Sequence, residues 1–209
     1  FDPYNYPFSE YLISLQRSFF YKKNSLYGIL NLTQTKNIFS KPILFLGAGP
    51  SLAKNVEWIY MNQDKFIIIS AAACLKRLEL LDIIPDIILS IDGQNTQVLK
   101  QFTVNKKYYK NSLTILSTKT DPEIFEILNK ENTFFIQDNL EVFDNTGIFT
   151  GVTIGDVGLD LILRLGANKV YMLGFDACVS NTGKTHDGIY RTSKIKLETT
   201  NVINDNGFN

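Results

Sequence analysis

Ile43-Leu44-Phe45-Leu46-Gly47-Ala48-Gly49-Pro50-Ser51-Leu52 is the stretch that decides the fold. A short apolar run meets a glycine-rich turn and passes directly into an amphipathic stretch, Leu52 to Tyr60. Glycines let the backbone turn sharply, and proline suits the first turn of a helix, so the segment reads as strand, tight turn and helix. The same grammar recurs along the chain. Phe66–Ile69, Ile87–Ile91, Leu113–Leu116, Phe134–Ile136 and Val170–Leu173 are further apolar runs. Leu75–Leu81 and Pro122–Leu128 carry helical patterns between them, the second opened by Asp121-Pro122-Glu123. Strands apolar on both faces and separated by helices predict a doubly wound, mainly parallel α/β sheet with helices on each side. In such a sheet ligands gather at the carboxyl ends of the strands.

Composition narrows the function classes. The 209 residues are 44% hydrophobic and 20% charged, enough for a sizeable core and unlike a disordered or fibrous chain. Lys plus Arg and Asp plus Glu are both 21, so no global positive field exists to hold nucleic acid. Two cysteines, Cys74 and Cys178, and a single histidine argue against a structural zinc site and against a disulfide scaffold. No apolar run is long enough to span a bilayer, and no signal-peptide layout opens the chain. Phe1 in place of Met suggests a piece of a longer protein, with a cytoplasmic setting expected by default.

The expected organisation has three parts. Residues 1–40 form a helical lead-in, in which Phe8, Tyr11, Leu12, Leu15 and Phe19 recur at helical spacing and pack on the adjoining domain. Residues 41–178 form the nucleotide-binding α/β domain. Residues 179–209 are a polar extension rich in Asn, Thr and Gly, read as a loop over the strand ends or as the start of a missing continuation.

The strand ends carry the candidate chemistry. Gly47, Gly49, Pro50 and Ser51 can bring backbone N–H groups to an anion at a helix start, or simply make a tight turn. A dinucleotide reading fails, because Leu52 replaces the third glycine and Ser70-Ala71-Ala72-Ala73-Cys74 lacks the acidic ribose ligand; no Gly-Lys-Ser/Thr marks a P-loop. Asp92, ahead of Gly93 at the end of the third run, suits a sugar, a base or a magnesium ion, or a turn. Thr150, Gly151 and Thr153 repeat the helix-start logic before the stretch closed by Gly166-Ala167. Asp176 ends the last run. His186 follows in a polar glycine-rich loop, where its near-neutral pKa suits proton transfer. Cys74 and Cys178 read as small buried residues.

Taken in order, ILFLGAGPSL, IIPDIILSIDG, GVTIGDVGLDLILRLGANKVYMLGFD and GKTHDG resemble the Maf-type motility-associated glycosyltransferases, which share a domain with MptE-like pterin pyrophosphokinases. They also look like bacterial sialyltransferases that use CMP-sialic acid. The resemblance runs from about Lys41 to Tyr190. It implies a Rossmann-like fold and a nucleotide held by Gly47, Gly49, Pro50 and Ser51, with Asp92, Thr150, Gly151, Thr153 and Asp176 completing the site. His186 matches the family's histidine. It further implies transfer of a nonulosonic acid from a CMP-sugar donor to Ser or Thr of a protein acceptor such as flagellin. No tightly bound cofactor is expected, magnesium being possible. One departure is the alanine run at 71–73, where the family has a polar residue. The competing readings are a magnesium-dependent pterin pyrophosphokinase, with Asp92 and Asp176 on the metal, and a non-catalytic nucleotide-binding module.

Overall fold

The computed structural model describes residues 12–13, 15–17, 19, 39–93, 95–137, 149, 151 and 153–176, with backbone only at 95–97. Six strands form one sheet: β1 (Ile43–Leu46), β2 (Ile67–Ala71), β3 (Ile87–Ser90), β4 (Leu113–Ser117), β5 (Thr133–Ile136) and β6 (Val170–Leu173). Between them lie α1 (Pro50–Lys54), α2 (Val56–Asn62), α3 (Leu75–Leu80), α4 (Asn95–Gln101), α5 (Pro122–Ile127) and α6 (Ile154–Arg164). All pairings are parallel, in the order β5-β4-β3-β2-β1-β6. The fold is the expected α/β, Rossmann-like arrangement.

Alternation along each strand sends side chains to two different layers. Leu44, Leu46 and Ile68 face Leu52 of α1, Ile59 of α2 and Leu78 of α3. Ile88, Leu116 and Phe135 continue that layer against Leu75, Val98, Ile124 and Phe125 of α3, α4 and α5. The opposite face, with Ile43, Phe45, Ile69, Leu89, Ile115 and Ile136, packs on Val157, Leu161, Ile162 and Leu165 along or just beyond α6. Each fully buried apolar side chain of this size contributes roughly 1.5–3 kcal/mol over leaving it exposed. The chain steps outward from β1 to β5, then returns over the other face through α6 to set β6 beside β1. That reversal is the switch point of the sheet, and it falls between β1 and β6.

Some boundaries differ from the sequence reading. The expected helix Leu52–Tyr60 is broken at Asn55, whose backbone (φ −114°, ψ 10°) separates α1 from α2. The short helix α4 carries few apolar residues and gave no clear periodic signal. Asp86 works at the amino end: its Oδ2 accepts from Ile68 N–H at 2.7 Å, and its carbonyl accepts from Leu113 N–H. In the lead-in, residues 12–13, 15–17 and 19 are helical, but Leu12 and Phe19 are 51% and 61% exposed. Arg17 makes a long-range contact from this segment, to Lys119 O and Asp121. The proposed tail, 179–209, lies outside the described residues.

Candidate functional site

At the switch point the turn after β1 and the turn after β6 are bonded together. Gly47 N–H donates to Leu173 O and Gly49 N–H to Gly174 O, both at 2.7 Å. Ser51 N–H donates to Asp176 Oδ2 at 2.6 Å, and Ser51 Oγ accepts from Gly174 N–H at 3.2 Å. Glycine is required by this contact. A Cβ on Gly47 would lie 2.5 Å from Gly174 O, and one on Gly49 would lie 2.6 Å from both Gly174 O and Asp176 Oδ2. Gly174 has φ +77°, and a Cβ there would stand 1.9 Å from Gly47 O. The N–H groups of Gly47, Gly49 and Ser51 are thus engaged within the chain, and the Asp176 carboxylate supplies the negative charge at the start of α1. Gly49, not Ser51, is the N-cap, with Pro50 in the first turn.

The start of α6 is built differently. Thr153 is its N-cap and closes a capping box with Asp156: Asp156 N–H donates to Thr153 Oγ1, and Thr153 N–H donates to Asp156 Oδ2 at 2.9 Å. Gly151 lies against Val157 and Asp156, which a Cβ would meet at 2.8 and 2.9 Å. Gly155 and Gly158 let the helix press on Phe175 and Phe45, whose rings are 4.5 Å apart. Thr153 and Gly151 are thereby occupied in holding α6, while Thr150 lies outside the described residues.

The third cluster sits at the ends of β3 and β4. Asp92 is half-buried, and its carboxylate meets no hydrogen-bond or ion-pair partner among the described residues. Gly93 abuts Lys119, whose Cβ would be 3.3 Å from an added Cβ. Lys119 is itself buried, with its N–H donating to Ser117 Oγ at 3.0 Å. Arg17 donates to Lys119 O through Nη1 and pairs with Asp121 Oδ2 at 2.8 Å through Nη2. The other Asp121 oxygen caps α5 by accepting from Glu123 N–H. Lys119 and Arg17 escaped the sequence reading, because a lone Lys among Ser117, Thr118 and Thr120 looks like a solvated turn.

Ser70, near the end of β2, is fully buried, and its Oγ has no hydrogen-bond partner among the described residues. Beyond it, Ala71 and Ala72 are packed away and Cys74 is buried, its thiol directed to Leu46 O at 3.3 Å. Cys74 therefore matches its expected packing role. Cys178 and His186 lie outside the described residues. Among the described residues no group of three His, Cys, Asp or Glu side chains comes together as a metal cage, and no helix is long and apolar enough to cross a membrane.

Comparison with known proteins fits this architecture. Residues 18–182 match the family described as 6-hydroxymethylpterin diphosphokinase MptE-like. The chain belongs to the MptE-like family. A solved structure, that of the Maf glycosyltransferase from Magnetospirillum magneticum AMB-1, superposes on this MptE-like chain with a TM-score of 0.60 at 19% identity. The superposition covers 75% of this chain and 28% of the other, so the MptE-like chain spans little more than a quarter of that enzyme. At this identity the likeness speaks for the fold. No curated protein matches the chain.

Proposed function

We propose that the chain carries the nucleotide-sugar site of a glycosyltransferase that moves a nonulosonic acid from a CMP-sugar donor to a Ser or Thr hydroxyl of a protein such as flagellin. The observation that carries this reading over a kinase is the state of the two acidic residues at the strand ends. Asp176 already holds the Ser51 N–H, while Asp92 stands as a single unpartnered carboxylate among the described residues. One acceptor of that kind suits a ribose or sugar hydroxyl better than it suits a magnesium ion, which needs several oxygen ligands. The shared fold with a Maf glycosyltransferase supports the same class.

In this reaction the acceptor hydroxyl oxygen bonds to the anomeric carbon of the sugar. The bond from that carbon to the phosphate oxygen breaks, and CMP leaves with the electron pair. The acceptor's proton passes to His186 as general base. Gly47, Gly49, Pro50 and Ser51 form the wall at the switch point, and Gly151 and Thr153 form the wall at the start of α6, with Thr150 assigned to the same site from the sequence alone. His186→Ala lowers turnover by roughly 10²–10⁴-fold with CMP affinity little changed, the usual scale for proton-transfer catalysis. Near-normal turnover in that variant removes His186 from the chemistry.

The family description favours one second reading, a magnesium-dependent pterin diphosphokinase. Calorimetry with CMP, CDP, ATP and GTP, with and without magnesium, separates the two. Binding of CMP without metal supports the transferase, and binding of ATP only with magnesium supports the kinase. Absence of binding to all four overturns both and leaves a non-catalytic module.

A further inference from the structure

We propose that the open edge of β6 is covered by residues 194–198 of the same chain, Lys194-Ile195-Lys196-Leu197-Glu198, added to the sheet as an antiparallel seventh strand. This pairing is independent of the choice between transferase and kinase.

β6 is an unfinished edge. The carbonyls of Lys169 and Leu173 accept from the N–H groups of Ile43 and Gly47. Alternate residues of a strand bond to opposite sides, so Val170 and Met172 send their N–H and C=O groups outward, where no strand meets them among the described residues. Tyr171 and Met172, on opposite faces, are 41% and 39% exposed, whereas Thr133, Phe135 and Ile136 of β5, at the other edge, are buried. On one face an aromatic row leads to the open edge. Trp58 lies 5.8 Å from Phe66, and Phe66 stands edge-on to Tyr171 at 5.4 Å. Val170-Tyr171-Met172-Leu173 holds neither a charge nor a proline, the devices that blunt a bare edge.

The chain that follows can supply the cover. In residues 194–198, Ile195 and Leu197 alternate with Lys194, Lys196 and Glu198, the period of a strand with one apolar face. Lysines on a new outermost strand are what the bare edge lacks. The link, residues 177–193, holds Gly183 and Gly188 among polar residues and has no apolar repeat at helical spacing. A parallel crossover is normally made by a helix, so the added strand returns antiparallel, as edge strands on parallel sheets often do. That direction brings Glu198 toward the amino end of β6, where Lys169 lies over the Tyr171 ring. It also keeps both ends of the link at the carboxyl end of β6, the side of the proposed site.

The test is NMR of the 209-residue chain, reading amide hydrogen exchange together with cross-strand nuclear Overhauser contacts. The Val170 and Met172 amides should exchange about 10²-fold or more slowly than open-chain amides, and their outward contacts should run to residues 194–198. Exchange at the open-chain rate overturns the proposal, as do contacts to any other segment. Protection that grows with protein concentration, alongside a dimer in sedimentation, overturns it in favour of a second copy paired through β6. The second arm is Ile195→Asp/Leu197→Asp, which removes the apolar face of the added strand. In this variant Val170 and Met172 lose their protection, while Tyr171 and Leu173, on the β1 side, keep theirs and report an intact sheet. Unchanged protection of Val170 and Met172 overturns the pairing. Leu197→Pro, which removes one N–H from the added strand, gives the same comparison where the double variant does not fold.

Discussion

At the scale of single residues, the switch point depends on what is missing from a side chain. Gly174 combines a positive φ with a carbonyl of Gly47 in the place a Cβ would take. Both penalties apply to Gly174→Ala: about 1–2 kcal/mol for the left-handed backbone and about 1–3 kcal/mol for the collision. A loss of about 2–5 kcal/mol in urea unfolding is expected, and a variant within about 0.5 kcal/mol of wild type would refute the close approach. Asp176 poses a sharper question, since it was read from sequence as a ligand contact and is found bonded to Ser51 N–H. Asp176→Ala leaves that donor without its acceptor and should cost about 1–3 kcal/mol. Asp176→Asn keeps an oxygen in place and should recover most of the loss. If Asp176→Asn instead melts normally but loses nucleotide, the carboxylate serves the ligand rather than the turn. Glycine and Asp were visible in the sequence as strand-end residues. That the turn after β1 would bond to the turn after β6 was not, because spacing along a chain says nothing about which two turns meet.

Among the elements, α6 decides how the second face of the sheet is covered. Its ends follow sequence signals closely: Thr153 and Asp156 form the capping box, while Gly166 at φ +86° sends its N–H to Leu163 O and Ala167 N–H goes to Ile162 O. Its packing rests on Gly158, where a Cβ would come within 2.3 Å of the Phe45 ring. Alanine is the better helix former by about 1 kcal/mol, so Gly158→Ala would stabilise an isolated helix. Here Phe45 is fully buried and backed by Phe175, and overpacking of about 1–3 kcal/mol wins. The expected result is a net loss of up to about 2 kcal/mol, recovered in part by Phe45→Leu in the same background; a stabilised Gly158→Ala would contradict the packing. The turn after α3 offers a pH test. Asp82 takes a positive φ there, and hydrogen bonds from Lys107 and Tyr108 hold its carboxyl below the usual range. A depressed carboxyl pKa stabilises the fold above the ordinary carboxylate pKa, and the benefit disappears as pH falls through the folded value. Stability measured from pH 7 downward should therefore drop slightly more in wild type than in Asp82→Asn, the pair being exposed; parallel curves would show that the pair contributes nothing.

For the whole molecule, the strands and the parallel sheet were legible because each strand is a compact apolar run bounded by turn residues. Strand order was not. The placement of β6 beside β1 depends on bonds such as Ser51 to Asp176, 125 positions apart, for which no local pattern exists. The same reason hid the corner after β4: Asp92 and the glycine turns announce themselves, whereas the bonds of Arg17 to Lys119 O and Asp121 join positions about a hundred residues apart. Arg17 also decides whether the N-terminal segment is an appendage or part of the domain. Its two bonds reach the backbone and the helix cap at the end of β4, with both partners of the ion pair about one-fifth exposed (20% and 23%). A fully exposed pair would contribute about 0.2–1 kcal/mol, and partial burial moves this one toward or past the upper end. A double-mutant cycle of Arg17→Ala and Asp121→Ala, read by urea unfolding, should give a coupling of about 1 kcal/mol. Arg17→Ala alone should cost more than the coupling, because it also removes the bond to the Lys119 carbonyl. Protease sensitivity of the segment around Arg17 should rise in the same variants. Zero coupling with unchanged proteolysis would mean that the segment merely lies on the domain, and that the β4 corner keeps its shape without it.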